Sequence, residues 1–328
     1  MPDEMMIRTS ERMSFKKCRQ QWYWGYVNKL QSTTPNRHLR FGTGVHYALE
    51  KRYKPGIKRG PHPAKTFVKW LDLDEAENGP LMMKDWEAET SLSARDLGVA
   101  MLEGFVDMYG LDDRYRIISP EMPFQIDIYS KGGLYLCTYV GTIDAVAEDL
   151  HTGEIILLEW KTGIRLEVTG GAPLSMDEQG GSYWAYAPDW LESRGILKAG
   201  GALDGIMYTF MRKAMPDARP TNDDGLCLNK NGSISKVQPA PRFRREMVYR
   251  SEKDRANLMW RVEQEAREIR KARDGKMAIY KNPGDHCKWC QYRDMCEVHE
   301  SGSDWRALRS AMFTTWRPYE VHDTEVAV

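Results

Sequence analysis

Two carboxylates and one lysine stand out by type and spacing. Asp144 closes the run Gly141-Thr142-Ile143-Asp144, and fifteen positions on comes Glu159-Trp160-Lys161. The apolar residues before Glu159 read as a short buried strand that ends in charges. Alternation along that strand puts Glu159 and Lys161 on one face and Trp160 on the other. Asp144 then comes from the neighbouring strand of a meander, and the three are expected to converge at one sheet edge. Two carboxylates supply hard oxygen ligands for a divalent cation. An ammonium beside them suits an attacking water or the charge that develops on a phosphate. Glu-x-Lys alone is an ordinary surface ion pair. Its position at the end of an apolar run argues for function.

A second group consists of thiols. Cys287, Cys290 and Cys296 form Cys-x2-Cys-x5-Cys, three of the six cysteines within ten residues. Such a trio points to a soft metal site. Cys18, in Ser14-Phe15-Lys16-Lys17-Cys18, is the foremost candidate for a fourth ligand. His286 and His299 are near enough in sequence to replace it in a Cys3His zinc site. Spacing alone does not separate zinc from a [4Fe–4S] cluster, but a single knuckle with a distant fourth cysteine favours the cluster. Cys137 reads as strand core and Cys227 as a loop thiol.

The elements that must position these groups follow from periodicity. Phe15, Cys18, Trp22 and Tyr26 recur at helical spacing, with Ser10 as the expected N-cap. The run Phe41-Gly-Thr-Gly-Val-His46 opens a second helix, with Glu50 one turn beyond His46. Residues 61–90 read as helical and acidic, with Asp72, Asp74, Glu75, Glu77, Asp85, Glu87 and Glu89. Residues 93–109 form another expected helix. A hairpin turning at Lys131-Gly132-Gly133 runs from about Ile117 through Asp149. Helices are expected at 176–193 and 252–273, a strand at 205–213 and a loop or hairpin at 214–241. The tail beyond about Trp316 reads as weakly ordered.

Composition bounds the answer. The 328 residues carry 47 basic and 47 acidic side chains. That balance excludes a globally basic nucleic-acid binder but not a local basic surface. Arg37 to Arg59 holds seven basic residues against Glu50 alone, and Arg242 to Lys276 holds twelve against seven. Both are candidate backbone-binding rims. Trp22, Trp24, Tyr47 and Tyr53 are candidates either for base stacking or for core. No apolar run reaches the ~20 residues that span a bilayer, and the N-terminus lacks a signal-peptide core. A cytoplasmic location is therefore expected, the host's if the protein is viral, with no membrane partner. No P-loop signature is present.

Asp144 with Glu159-Trp160-Lys161-Thr-Gly resembles the core of the PD-(D/E)XK nuclease superfamily. It most resembles the RecB-like branch, which includes the CRISPR-associated single-strand exonucleases and their viral relatives. Gly141-x-x-Asp144 stands where that branch carries Gly-x-x-Asp, and Ile143 replaces the proline of the superfamily's name. The resemblance implies His46 as a further metal ligand, with Glu50 orienting it or the metal's waters. It implies an acidic role for Glu121 at the start of the hairpin, and Gln179 and Tyr183 as the branch's Gln-x-x-x-Tyr, positioning DNA or Lys161. It also implies Cys18, Cys287, Cys290 and Cys296 as ligands of one [4Fe–4S] cluster that staples the first helix to the C-terminal segment.

The expected fold is α/β: a restriction-endonuclease-like core with a mixed central sheet of three to five strands flanked by helices. Residues 1–115 form a helical N-terminal part, 116–250 the nuclease core, and 251–328 a helix and the cysteine segment. The implied function is a Mg²⁺- or Mn²⁺-dependent exonuclease acting at single-stranded DNA ends. His46, Asp144, Glu159 and the Trp160 carbonyl would hold the metal, and Lys161 would position or activate water. Open beside it stand an end-processing or adaptation subunit working with a helicase or integrase, a homo-oligomer, and a non-catalytic DNA-binding scaffold with zinc.

Overall fold

A computed structural model describes residues 5–84, 91–166 and 173–320. The strands are β1 (Met6–Ile7), β2 (Leu30–Ser32), β3 (Met82–Lys84), β4 (Ser91–Ser93), β5 (Tyr115–Tyr129), β6 (Tyr135–Asp149), β7 (Ile155–Gly163), β8 (Gly205–Arg212), β9 (Phe243–Tyr249) and β10 (Phe313–Thr315). The helices are α1 (Thr9–Lys17), α2 (Arg19–Trp22), α3 (Arg37–Arg52), α4 (Pro63–Asn78), α5 (Ala94–Tyr109), α6 (Glu178–Ser193), α7 (Glu252–Arg273), α8 (Arg293–Glu300) and α9 (Trp305–Met312).

Among the described residues the sheet has six strands, one more than expected. Its order is β1-β6-β7-β8-β9, with β5 also paired to β6. β1–β6 and β7–β8 are parallel, and the other pairs are antiparallel, so the sheet is mixed. The long β5–β6 hairpin turns at Gly133, whose φ of 76° suits glycine. β9 lies inside the second basic stretch, where Phe243-Arg-Arg-Glu-Met-Val-Tyr alternates too weakly to announce a strand.

Each face of the sheet is covered. Leu157 and Ile206 pack with Phe15 of α1, Tyr183 and Leu191 of α6, and Val262, Ala266 and Ile269 of α7. Ile156, Leu158 and Trp160 pack with Phe41 and Val45 of α3, Phe67 of α4 and Leu97 and Phe105 of α5. The helix ends follow capping chemistry. Asn36 accepts from His38 N and Leu39 N to start α3, and Ser251 forms a reciprocal capping box with Asp254 to start α7. Among the described residues no helix is long and apolar enough to cross a membrane.

Three expectations on the elements are corrected. The N-terminal stripe is not one helix: Cys18 is extended (φ −158°) between α1 and α2, and Tyr23–Val27 forms a π-helical turn. Arg8, not Ser10, is the N-cap, because β1 joins the sheet and delivers the chain into α1 two residues early. Residues up to Glu320 are fastened: β10 pairs with β2, Trp316 Nε1 donates to Gly25 O, and Tyr319 OH bonds Glu11. Of the acidic segment, Asp85, Glu87 and Glu89 lie outside the described residues.

Candidate active site

The site forms where β6 and β7 part. Their ladder ends at Ala145 opposite Leu158. The next backbone donor, Trp160 N, goes to Asp144 Oδ2 at 2.7 Å instead of to a strand. β7 continues against β8, so Glu159 and Lys161 ride on a strand still paired on that side while Asp144 stands across the fork. This is the face of a central strand, not the expected sheet edge. Splaying opens room for ligands without leaving the buried amide unsatisfied.

Asp144 Oδ1 lies 3.0 Å from His46 Nδ1 on α3. Glu121 falls in the register between Pro120↔Ala145 and Met122↔Ile143, opposite Asp144. Its φ is 38°, a left-handed conformation that a glutamate seldom adopts. Its Oε1 is buried, has no hydrogen-bond partner and lies 3.8 Å from His46 Nδ1. Ligand atoms of His46, Glu121 and Asp144 all lie within 4.8 Å of one another. An orphaned carboxylate oxygen beside a second carboxylate and an imidazole is a donor set that fits a hard divalent cation.

Glu159 is tied differently. Its Oε1 takes Lys161 Nζ at 2.5 Å, and Lys161 Nζ also donates to Gln179 Oε1 at 2.8 Å. Burial, helped by the Asp144 charge, raises the Glu159 carboxyl pKa, and Lys161 works against that rise. Burial also works against the Lys161 charge, but Glu159 and Asp177 outweigh it and raise its pKa. Lys161 is therefore an ammonium at neutral pH. Tyr183 stands beside Gln179 on α6 and is buried against Phe124. Its ring explains Gly141, where any Cβ would lie 2.5 Å from the Tyr183 ring. Gly-x-x-Asp and Gln-x-x-x-Tyr are thus two halves of one packing contact. Glu50 takes Lys51 at 2.8 Å and does not bond His46.

Asp177 was not singled out by the sequence. It caps α6, accepting from Gly180 N at 2.8 Å, and accepts from Tyr208 OH at 3.0 Å. An aspartate immediately before a helical run was the available signal. Around these groups lies a cleft of about 830 Å³, with Arg8, Lys16 and Arg165 on its walls. The basic rims read from sequence are mostly spent on structure. Arg40 pairs with Asp74, Arg52 and Arg59 hold backbone carbonyls, Arg245 pairs with Asp112, and Arg273 with Glu11. Trp22, Trp24 and Tyr53 are core, whereas Tyr47 is exposed.

The cysteine segment docks on the N-terminal part. Tyr292 OH donates to Leu30 O, and Tyr292 and Met295 pack with Trp24 and Phe313 beside Cys290 and Cys296. The break at Cys18 turns its sulfur to Asn282, whose backbone N–H reaches Sγ at 3.4 Å. Burial raises the Cys290 pKa, and the charges of Cys18, Cys296 and Cys287 add to it. No three of their sulfurs fall within 4.8 Å of one another. Cys137 and Cys227 are buried elsewhere.

Fold and site together define an α/β protein with a donor set that fits a hard cation, beside a lysine, at a splayed strand pair. The chain belongs to the PD-(D/E)XK nuclease superfamily, whose family model matches residues 10–297. It is thus a nuclease of a superfamily that uses divalent metals and acts on DNA. A crystal structure from Eubacterium rectale described as a "putative exonuclease" is similar, with a TM-score of 0.50, 9% identity, and coverage of 88% of this chain and 87% of that one. That similarity concerns the fold. The structure of SSO0001 matches at a TM-score of 0.35 and 11% identity over 90% and 88% of the two chains. No curated protein matches the chain.

The His46–Asp144 contact has a consequence for metal binding. Burial opposes the His46 charge, but Asp144 and then Glu121 outweigh it and raise its pKa to about 10. The metal-free protein thus holds a proton on His46 that a ligand must give up. Metal affinity is expected to strengthen at least about tenfold per pH unit between about pH 7 and 9, with at least one proton released per ion. Calorimetric titration in buffers of different ionisation enthalpy measures that proton. Affinity independent of pH in this range would exclude His46 as a ligand.

Proposed function

We propose that the protein is a Mg²⁺- or Mn²⁺-dependent exonuclease acting at single-stranded DNA ends. The observation that carries this is the buried, unpartnered Glu121 oxygen facing Asp144 and His46 beside an ammonium. His46, Asp144 and Glu121 would hold the ion, with Glu159 and the Trp160 carbonyl as further ligands. A bound ion would lower the pKa of its water and offset the charge of the phosphate. Asp144 fixes both His46 and the Trp160 backbone. Glu159 and Gln179 aim Lys161, whose ammonium stabilises developing negative charge rather than abstracting a proton. Tyr183 wedges against Gly141 and keeps Gln179 in place. The cleft's open form and its Arg8, Lys16 and Arg165 suit a flexible strand.

The four cysteines are read as ligands of a structural [4Fe–4S] cluster. A tetrahedral zinc site, with Zn–S near 2.3 Å, needs sulfurs about 3.8 Å apart. The single Cys-x2-Cys knuckle with a distant fourth cysteine favours the cluster over such a site. A Cys3His zinc site is the second reading, favoured by His286 Nε2 and His299 Nδ1, which are buried without partners.

The test is cleavage of end-labelled single- and double-stranded DNA with Mg²⁺, Mn²⁺ or EDTA, run beside an absorption spectrum of anaerobically purified protein. Products shortened stepwise from single-stranded ends, abolished by EDTA, are expected, with broad absorption near ~400 nm from thiolate-ligated iron. Internal cuts alone would overturn the exonuclease reading. A colourless protein with stoichiometric zinc would replace the cluster.

A further inference from the structure

Among the described residues, Lys213 near the cleft has no counter-charge. Lys213 follows β8, and its backbone N–H donates to Gly163 O, two residues beyond Lys161. Its Nζ reaches the backbone carbonyl of His38, at 3.4 Å, and stands 5.4 Å from the centre of the Phe41 ring. Among the described residues no carboxylate pairs with it, and burial pushes the amine down to about 8. His38, at the start of α3, is lowered by burial and then by the charges of Lys213 and Arg37. Three basic groups thus crowd together, where a bound anion would relieve their repulsion.

A second observation lies on the same helix. His38, Gly42 and His46 follow at spacings of four, on one face of α3. His46 meets Asp144, and Gly42 faces Thr162, the residue after Lys161. A methyl group at Gly42 would stand 3.7 Å from Thr162 Oγ1, an ordinary contact. At Gly44, by contrast, it would lie 2.4 Å from the Trp70 ring. Packing therefore demands glycine at 44 but not at 42, although glycine weakens a helix interior relative to alanine. Gly42 is half-buried. Among the described residues a Cβ there would meet Thr162 Oγ1 alone within 4 Å, which leaves room beside it for something outside the chain.

We propose that Lys213, His38 and the Gly42–Thr162 face form a subsite for a backbone phosphate of the substrate strand, two turns of α3 from the metal ligands. This rests on the nuclease reading and adds how the strand is held. Eight helical residues separate His38 from His46, about 12 Å along the axis. A strand crossing the cleft would lay one phosphate at His46 and Asp144 and a more distant one on Lys213. Gly42 lets the backbone pass close to the helix between them. Lys213 is a positioning residue in this arrangement and does not touch the reacting atoms.

The experiment measures binding of labelled single-stranded DNA to the full chain, with Ca²⁺ in place of Mg²⁺ to suppress cleavage. Salt is varied from about 50 to 200 mM. Lys213→Met is expected to weaken binding roughly five- to tenfold at the lowest salt. It should also flatten the slope of log K against log salt by about 0.7, the value of one single-strand phosphate. Lys213→Arg should restore most of both. Gly42→Ala should raise the melting temperature, since alanine favours the helix, while weakening binding. An unchanged salt slope in Lys213→Met overturns the subsite, as does undiminished binding in Gly42→Ala. Failure of the unmodified protein to cleave DNA with Mg²⁺ would remove the nuclease reading instead, and these binding slopes do not depend on it.

Discussion

Asp144→Asn is expected to lower DNA cleavage by at least about a thousandfold while leaving the fold within about 1 kcal/mol of the parent. Asp144 performs two tasks at once. Oδ2 accepts the Trp160 N–H at the fork, and Oδ1 faces His46. An asparagine oxygen can keep the Trp160 bond, but its amide then turns two hydrogens toward the place a cation would occupy. Asp144→Ala removes both functions and leaves a buried N–H unpaired, which costs about 1–3 kcal/mol. Comparing the two variants by cleavage of end-labelled DNA and by urea denaturation separates chemistry from stability. Cleavage by the asparagine variant at the parent rate would remove Asp144 from the metal site.

Arg12→Ala is expected to be among the most destabilising single changes, at about 3–5 kcal/mol. The Arg12 side chain is 0% exposed. Nε donates to Glu265 at 2.6 Å, Nη2 to Glu178 at 2.8 Å and Nη1 to Ser182 at 2.9 Å. One guanidinium thereby ties α1 to α6 and α7 over the sheet. Burial opposes its charge, but Tyr139, Glu265 and Glu178 outweigh it, so it stays ionised. Truncation leaves two partly buried carboxylates facing each other. Lys16, 2.9 Å from Glu265, offsets part of that and places the loss in the lower half of the range. Arg12→Lys keeps the charge without the planar fork and should recover less than half. Glu178 is adjacent to Gln179, so the loosened end of α6 should also weaken the Gln179 hold on Lys161 and slow cleavage. A shift of the urea midpoint worth less than about 1 kcal/mol at unchanged slope would show that packing alone holds α1.

Much of the local structure was legible because it depends on local rules. The apolar run into Glu159-Trp160-Lys161 folds as the expected strand, with Glu159 and Lys161 opposite in face to Trp160. Residues 252–273 form the expected helix to the residue, since an N-cap box and an apolar stripe agree there. The errors arise where neighbours decide. A helical stripe through Phe15, Cys18, Trp22 and Tyr26 gave no hint that the helix breaks at Cys18, because the break serves a contact with Asn282, far along the chain. The basic runs counted charge without seeing that Arg40, Arg52, Arg59, Arg245 and Arg273 bend inward to partners on other elements.

By itself, the sequence set Glu159 and Lys161 at strand spacing after Asp144, His46 and Gln179/Tyr183 on expected helices, and three thiols in one short segment; the roles of His46, Gln179 and Tyr183 came only with the resemblance to the family. Those spacings follow periods of two and of three to four residues, which any reading of the chain can apply. Only the tertiary structure decided what meets what. Register across β5 and β6 put Glu121 opposite Asp144, in a left-handed conformation with an oxygen left unpaired. Parting of β6 from β7 turned Asp144 into both a backbone acceptor and a partner of His46. The start of α3 came to rest over Lys213, whose charge meets no carboxylate among the described residues. Such meetings depend on sheet register and helix docking, which a linear pattern does not encode.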